Sequence, residues 1–149
     1  MLLSQDILDM SEVEVRDAYL EDVPFIFATM LRSYRHASTF ARKISNEIFY
    51  KYHHMFLEAC LSRANSKVMV AHAKGEPNVI LGYLLSETRP DGEEVVHYTY
   101  VKKSFRQMGV AKALWATLDK SKYTITHYTM DADWIMRKFS NLTYNPYLL

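Results

Sequence analysis

The chain has 149 residues, of which 49% are hydrophobic and 13% aromatic, enough to bury the core of one compact domain and too apolar for a disordered chain. Its 18 Lys and Arg against 17 Asp and Glu leave a formal net charge of +1, so no long-range field draws in nucleic acid or an anionic membrane. The single cysteine, Cys60, excludes an internal disulfide and a paired-thiol zinc site, which fits a reducing compartment.

Met1 to Met10 lacks the basic stretch and apolar run of a signal peptide, and no segment reaches the ~20 apolar residues of a membrane span. A cytoplasmic protein is therefore expected. No repeat or Gly/Ser/Pro-rich linker divides residues 1–149, which read as one domain. Val13, Val15 and Ala18 mark a first strand over about 12–19, and Asp22 is placed to cap a helix that tolerates Pro24 in its first turn. Val23, Ile26, Phe27, Met30, Leu31 and Tyr34 recur three and four apart, as one helical face requires. After a polar break from Arg35 to Lys43, Ser45 with Glu47 opens a second helix to about Arg63, with Phe49, Tyr52, Phe56, Ala59 and Cys60 on one side.

Three extended segments follow, Lys67 to Ala73, Val79 to Glu87 and Glu94 to Lys102, separated by turns at Lys74-Gly75-Glu76-Pro77-Asn78 and Arg89-Pro90-Asp91-Gly92. They predict an antiparallel meander. Val68 to Ala71 in the first and Val79 to Leu85 in the second are apolar on both faces, as strands covered by helices on each side would be. A third helix is expected from Met108 to about Lys120, with Val110, Leu114 and Leu118 inward, then a fifth strand over Tyr123 to Thr129. Asp131 or Asp133 is placed to cap a short helix through Phe139, and Leu142 to Leu149 reads as a last strand in which Pro146 argues for an edge or a bulge. The order β-α-α-β-β-β-α-β-α-β predicts a mixed α/β (α+β) layer fold.

The stretch from Val95 to Leu114 carries the chemistry: a strand, a tight turn at Arg106-Gln107-Met108-Gly109-Val110-Ala111, and a helix. A turn that opens a helix leaves its first N–H groups without intrahelical partners, which suits a pyrophosphate. Gly109 permits close backbone approach, Ala111 avoids a clash, and Arg106, Lys102, Lys103 and Lys112 supply positive charge nearby.

Arg106-x-x-Gly109-x-Ala111, with Val101, Phe105 and Leu114 around it, resembles the (Gln/Arg)-x-x-Gly-x-(Gly/Ala) signature of the Gcn5-related N-acetyltransferase (GNAT) family, and the element order is similar from Val13 to the C-terminus. The resemblance implies an acyl-CoA N-acyltransferase fold, a mostly antiparallel sheet flanked by helices and splayed between its fourth and fifth strands. It implies acetyl-CoA as co-substrate, bound by Tyr100, Val101, Arg106, Gln107, Met108, Gly109, Val110, Ala111 and Lys112, with main-chain groups near Tyr100 and Val101 holding the pantetheine arm. The acceptor is then an amine on a small molecule or a protein, attacking directly. A general base is expected on the fourth strand or between the first helices, with His97 the first candidate and Glu94 the second.

The family's later signature departs here. Phe139 falls where many relatives carry the tyrosine that protonates the departing thiolate, Thr143 replaces a glycine, and Met130-Asp131-Ala132-Asp133 occupies the place of an asparagine. Tyr144, Tyr128 or a water is left to supply that proton; the alternative is a GNAT-like module that binds acyl-CoA or a protein partner without turnover. His36, His53, His54 and Glu58 lack the convergent spacing of a metal site and read as a polar helix face, so no metal is expected. Tyrosines near Lys and Arg admit stacking on single-stranded nucleic acid, against which the neutral charge counts. An exposed C-terminal strand offers an edge through which two copies could pair.

Overall fold

A computed structural model describes residues 12–118, 122–129 and 141–148. Six strands form one sheet in the order of the chain: β1 (Val13–Asp17), β2 (Ser66–Ala73), β3 (Glu76–Thr88), β4 (Glu94–Val101), β5 (Tyr123–Ile125) and β6 (Leu142–Tyr144). The first four pair antiparallel, β2 to β4 as the meander predicted; β5 runs parallel to β4, and β6 parallel to β5. The β2–β3 turn is tighter than expected, because β3 already begins at Glu76 and Gly75 takes a left-handed φ of 74°. Every residue from Leu81 to Glu87 is buried, which is why this strand reads as apolar on both faces.

Helices cover both faces. On one side lie α1 (Val23–Ala37), the short α2 (Thr39–Arg42) and α3 (Asn46–Ser62), packed on Val70, Tyr83, Leu85 and Tyr98. On the other, α4 (Val110–Trp115) sets Val110 and Leu114 against Ala71, Leu81, Leu84, Val96, Ile125 and Leu142. Among the described residues, twelve buried hydrophobic residues in the cluster on the first face and eight in that on the second make the sheet the middle layer of the domain.

Several expectations change in detail. Asp22 does not cap α1 through its side chain; its carboxylate accepts from Tyr19 N–H at 2.6 Å and from Arg16 at 2.7 Å, tying the end of β1 to the helix start. The break from Arg35 to Lys43 holds α2, capped by Ser38. Ser45 caps α3 as expected, accepting from Ile48 N–H at 3.3 Å. The inward face of α3, however, is Phe49, His53, Phe56, Leu57 and Cys60, while Tyr52 is 59% exposed and Ala59 is exposed.

The third long helix stops early. Thr117 and Leu118 N–H groups bond to carbonyls three residues back, and Thr117 Oγ1 donates to Leu114 C=O at 2.7 Å, a local competition that closes α4 after Trp115. Lys120, the expected end, and the helix expected from Asp131 or Asp133 to Phe139 lie outside the described residues. β6 keeps only Leu142–Tyr144, and Pro146–Leu148 forms a 3-10 turn.

Candidate active site

β4 and β5 pair only at Val95–Thr124 and Val96–Ile125, closed by Thr126 N–H to Val96 C=O at 3.3 Å. Beyond that rung β4 continues to Val101 paired, among the described residues, with β3 alone, so the sheet opens into a cleft, and β5 spans only three residues. The cause lies in β4. Leu85 faces Tyr98 and Ser86 faces Val96, which makes His97 an extra, bulged residue. A bulge breaks the alternation of side chains, so His97 and the next residue, Tyr98, both meet the α1/α3 face: His97 lies 5.6 Å from the Phe56 ring and Tyr98 6.1 Å from Tyr34.

One wall of the cleft is the free edge of β4. Lys102 N–H donates to Leu81 C=O at 2.9 Å, so strand alternation turns the main-chain groups of Thr99 and Val101 toward the cleft and those of Tyr100 toward β3. Tyr100 C=O indeed packs over Gly82, where an added Cβ would lie 2.3 Å from it. Thr99, not Tyr100, therefore joins Val101 on the open edge, and the Tyr100 ring instead stacks on Tyr83 at 5.2 Å. Val101 C=O is held by Arg106 Nε at 3.1 Å.

The turn after β4 follows the expected path. Lys103–Phe105 form one 3-10 turn, Gln107 takes a φ of 64° and Gly109 a φ of 86°, and α4 starts at Val110. A left-handed Gln107 costs roughly 1 kcal/mol and is held by the surrounding packing of Phe105 and Met108. The first helical bond runs from Ala113 N–H to Gly109 C=O, and the N–H groups of Gln107, Met108, Gly109, Val110, Ala111 and Lys112 donate to no described residue. With only six residues, α4 adds little dipole; the row of free amides is what an anion would meet. Lys103, Arg106 and Lys112 are exposed around it, while Lys102 Nζ lies 5.6 Å over the Phe25 ring.

At the closed end of the cleft sits a buried polar cluster. His97 is 1% exposed, with Nε2 2.6 Å from Glu87 Oε1 and Nδ1 2.8 Å from Thr126 Oγ1. Thr126 Oγ1 lies 2.9 Å from His127 Nδ1, and His127 Nε2 lies 2.9 Å from His53 Nε2. Arg63 donates to Glu87 Oε1 at 2.6 Å, with Arg89 at 3.5 Å. Burial raises the Glu87 carboxyl, but the His97 hydrogen bond and the two guanidinium groups more than offset it and hold it below its ordinary value. Burial lowers His97 despite Glu87, lowers His53 to about 4, and lowers His127 well below the usual imidazole range. Three neutral imidazoles beside one carboxylate result.

Cys60 Sγ, Glu87 and His97 could in principle converge on a cation. Glu87 Oε1 is instead already shared by His97, Arg63 and Arg89, and burial raises the Cys60 thiol, so the donors are spent on an ion-paired cluster that two guanidinium charges close to a metal. His53, read from the sequence as part of a polar face, points inward between Tyr34 at 5.0 Å and Phe49 at 4.9 Å; His54 stays outside, 3.6 Å from Glu58.

The remaining sequence candidates are spread along the cleft. Glu94 starts β4 beside Thr88, accepting from its hydroxyl at 2.9 Å, roughly 10 Å along the strand from His97 and on the closed side of the bulge. Tyr144 lies level with the last β4–β5 rung, since it pairs with Ile125, and its 42% exposed ring rests 5.2 Å from Tyr128. Burial raises the Tyr34 hydroxyl, and the Tyr144 hydroxyl close by raises it further. Glu87, Thr126 and His127 were not singled out from sequence. Glu87 is a carboxylate at the end of an apolar run, the one local signal that an inward charge needed partners.

A six-stranded mixed sheet that splits after its fourth strand, with a turn whose amides donate to no described residue, is the framework of a GNAT-type acyl-CoA N-acyltransferase. The chain belongs to the Acetyltransferase (GNAT) family, whose model matches residues 27–122. In solved structures, the fold is similar to that of a Corynebacterium glutamicum protein described as a histone acetyltransferase and related acetyltransferase, at TM-score 0.63 and 16% identity over 85% of this chain and 83% of that one. A candidate acetyl transferase from Pyrococcus furiosus matches at TM-score 0.59 and 19% identity, over 90% and 82% of the two chains. A GCN5-related N-acetyltransferase from Ralstonia eutropha matches at 0.55 and 15%, over 89% and 82%. No curated protein matches significantly. Among the described residues no helix is long and apolar enough to cross a membrane.

Proposed function

We propose that this chain transfers the acetyl group of acetyl-CoA to an amine by direct attack. The observation that carries the reading is the cleft itself: the open edge of β4 leads from Thr99 and Val101 straight into six amides, Gln107 to Lys112, that donate to no described residue. In this reading the amides hold the pyrophosphate, with Lys103, Arg106 and Lys112 adding charge, and the edge of β4 hydrogen-bonds the pantetheine arm. The thioester then lies near the last β4–β5 rung. A main-chain N–H there polarises its carbonyl, the amine nitrogen bonds to the carbonyl carbon, and the carbon–sulfur bond breaks.

The leaving thiolate takes its proton from Tyr144, the exposed hydroxyl level with that rung. His97 acts as base only through its neighbours, because both ring nitrogens are engaged. Glu94 lies too far toward the closed end to share that task. The acceptor is a small amine or a protein amine, the protein works in the cytoplasm, and the whole chain acts as one domain. The β6 edge is where a second copy would pair.

Isothermal titration of acetyl-CoA into the protein and into Gly109→Glu tests the reading, followed by turnover with a panel of small polyamines and free-amine peptides. Binding by the unaltered chain alone, with acetylated product, is the expected result. Binding without product from any amine would point to a module that has lost turnover, and no binding by either would refute the acetyl-CoA site.

A further inference from the structure

Three imidazoles, one hydroxyl and one carboxylate lie in single file at the closed end of the cleft, on elements far apart in the chain: His53 on α3, Thr126 and His127 after β5, His97 in the β4 bulge and Glu87 near the end of β3. Starting from Glu87 the hydrogen-bond directions follow in one sense, and the His127 ring is bonded to the His97 main chain as well. Glu87 is an ionised acceptor, so His97 donates its Nε2–H to it and must accept at Nδ1. Thr126 Oγ1–H fills that acceptor and therefore accepts from His127 Nδ1–H. His127 Nε2 then accepts from His53 Nε2–H. Every link is satisfied by neutral rings, and the end of the file is His53 Nδ1, which makes no hydrogen bond to a described residue on a half-buried side chain.

We propose that this file is a proton relay for the acyl transfer, in which His53 Nδ1 receives the proton lost by the attacking nitrogen and Glu87, ion-paired to Arg63 and Arg89, holds the relayed proton only transiently. The proposal rests on the acetyl-transfer reading above. As the carbon–nitrogen bond forms, the nitrogen becomes acidic and its proton moves to His53 Nδ1. His53 Nε2–H passes to His127 Nε2, His127 Nδ1–H to Thr126 Oγ1, Thr126 O–H to His97 Nδ1, and His97 Nε2–H to Glu87. One proton enters, one arrives, and all three rings end neutral in the opposite tautomer. No imidazolium has to persist in the aromatic surroundings of Tyr34, Phe49, Phe56 and Tyr98. The reverse sequence returns the proton to solvent at His53 once the products leave. His53 is the catalytic residue of the file; His127, Thr126, His97 and Glu87 act through it.

Long-range nitrogen–proton NMR correlations on the intact protein at neutral pH read the tautomers directly. His97 should carry its proton on Nε2, His127 on Nδ1 and His53 on Nε2. In Thr126→Val the hydroxyl is removed with little change of volume: His97 should keep its tautomer, while His127 and the untouched, more distant His53 become mixtures. Thr126→Ser should restore the original pattern. With the amine panel, Thr126→Val should lose about 10²-fold in kcat, the lower range for a proton-transfer contribution, with acetyl-CoA affinity unchanged and Thr126→Ser close to the unaltered rate. Tautomers at His53 that ignore position 126 would overturn the relay whatever the turnover. A coupled pattern with full turnover in Thr126→Val would overturn its catalytic use. Unaltered protein that turns over no amine would overturn the acetyl-transfer reading beneath that use, and the tautomer pattern would still show whether the file exists.

Discussion

Acid should unfold this protein from an unusually high pH. His53, His97 and His127 all have folded-state pKa values below the ordinary 6.5, His53 at about 4, so each is neutral when folded and protonates more readily when unfolded. A group depressed in this way contributes stability that is complete above its unfolded pKa and is lost as pH falls toward its folded value. The charged and titratable neighbours are Glu87, Arg63, Arg89, Cys60, Tyr34 and Tyr98; of these only Glu87 titrates in the acid range, and it is itself depressed, so its share is lost only below its ordinary carboxyl value. Each proton taken up on unfolding contributes about 1.4 kcal/mol per pH unit. Three imidazoles therefore give a slope of roughly 3 to 4 kcal/mol per pH unit below about pH 6, softened where a protonating His97 gains from Glu87. His53 alone, from 6.5 to about 4, accounts for about 3 kcal/mol. Measured against a total of about 5–15 kcal/mol, a stability near the lower end of that range puts the acid midpoint between roughly pH 5 and 4, and a higher stability puts it lower. Urea unfolding at pH 7, 6, 5.5 and 5 measures the slope. His53→Phe, which keeps a ring between Tyr34 and Phe49, should reduce it by about 1.4 kcal/mol per pH unit. Stability that stays flat from pH 7 to 5, or a slope unmoved in His53→Phe, would refute the reasoning.

Gly82→Ala should damage fold and cofactor site together, since its Cβ would lie 2.3 Å from the Tyr100 carbonyl; a loss of about 3 kcal/mol or more and a shift of β4 at Val101 are expected, read by thermal unfolding and acetyl-CoA titration. Asp22→Asn should cost about 2–3 kcal/mol, because it weakens the ion pair to Arg16, side chains 11% and 8% exposed, and the 2.6 Å bond from Tyr19 N–H. Burial pushes the Asp22 carboxyl up, but Arg16 and the Tyr19 N–H outweigh it and leave it low, so the difference between Asp22 and Asn should shrink as pH falls below about 4. Tyr83→Phe should cost only about 1 kcal/mol by urea unfolding, as Thr29 loses its 2.8 Å partner yet keeps the Phe25 carbonyl at 2.7 Å.

Spacing along the chain was enough for the elements whose signal is local. Helix α1 follows from apolar residues three and four apart, the Ser45 cap from its side chain, the β3 core from an unbroken apolar run, and the turn at Gly109 from a glycine that permits close backbone approach ahead of a helix. Each is decided within a few residues, where backbone sterics and a single helical or strand period dominate. The inward turn of His53 was one position from the face chosen from sequence, because His53 and Tyr52 differ by only 100° on a helix already aromatic on several sides.

Only the tertiary structure decided where the sheet opens and what lies at its closed end. The bulge at His97 exists because β3 and β4 pair out of step by one residue there, a register that neither strand shows alone. That one extra residue turns His97 and Tyr98 to the same face and brings His97 within reach of Thr126 and Glu87. His53 and His127, 74 positions apart, meet at 2.9 Å because the segment after β5 turns His127 onto the face that α3 covers, 5.1 Å from the Phe56 ring. Motif and periodicity carry family and fold because both are written in neighbouring residues, while the histidine file depends on packing between distant elements, which no window along the chain contains.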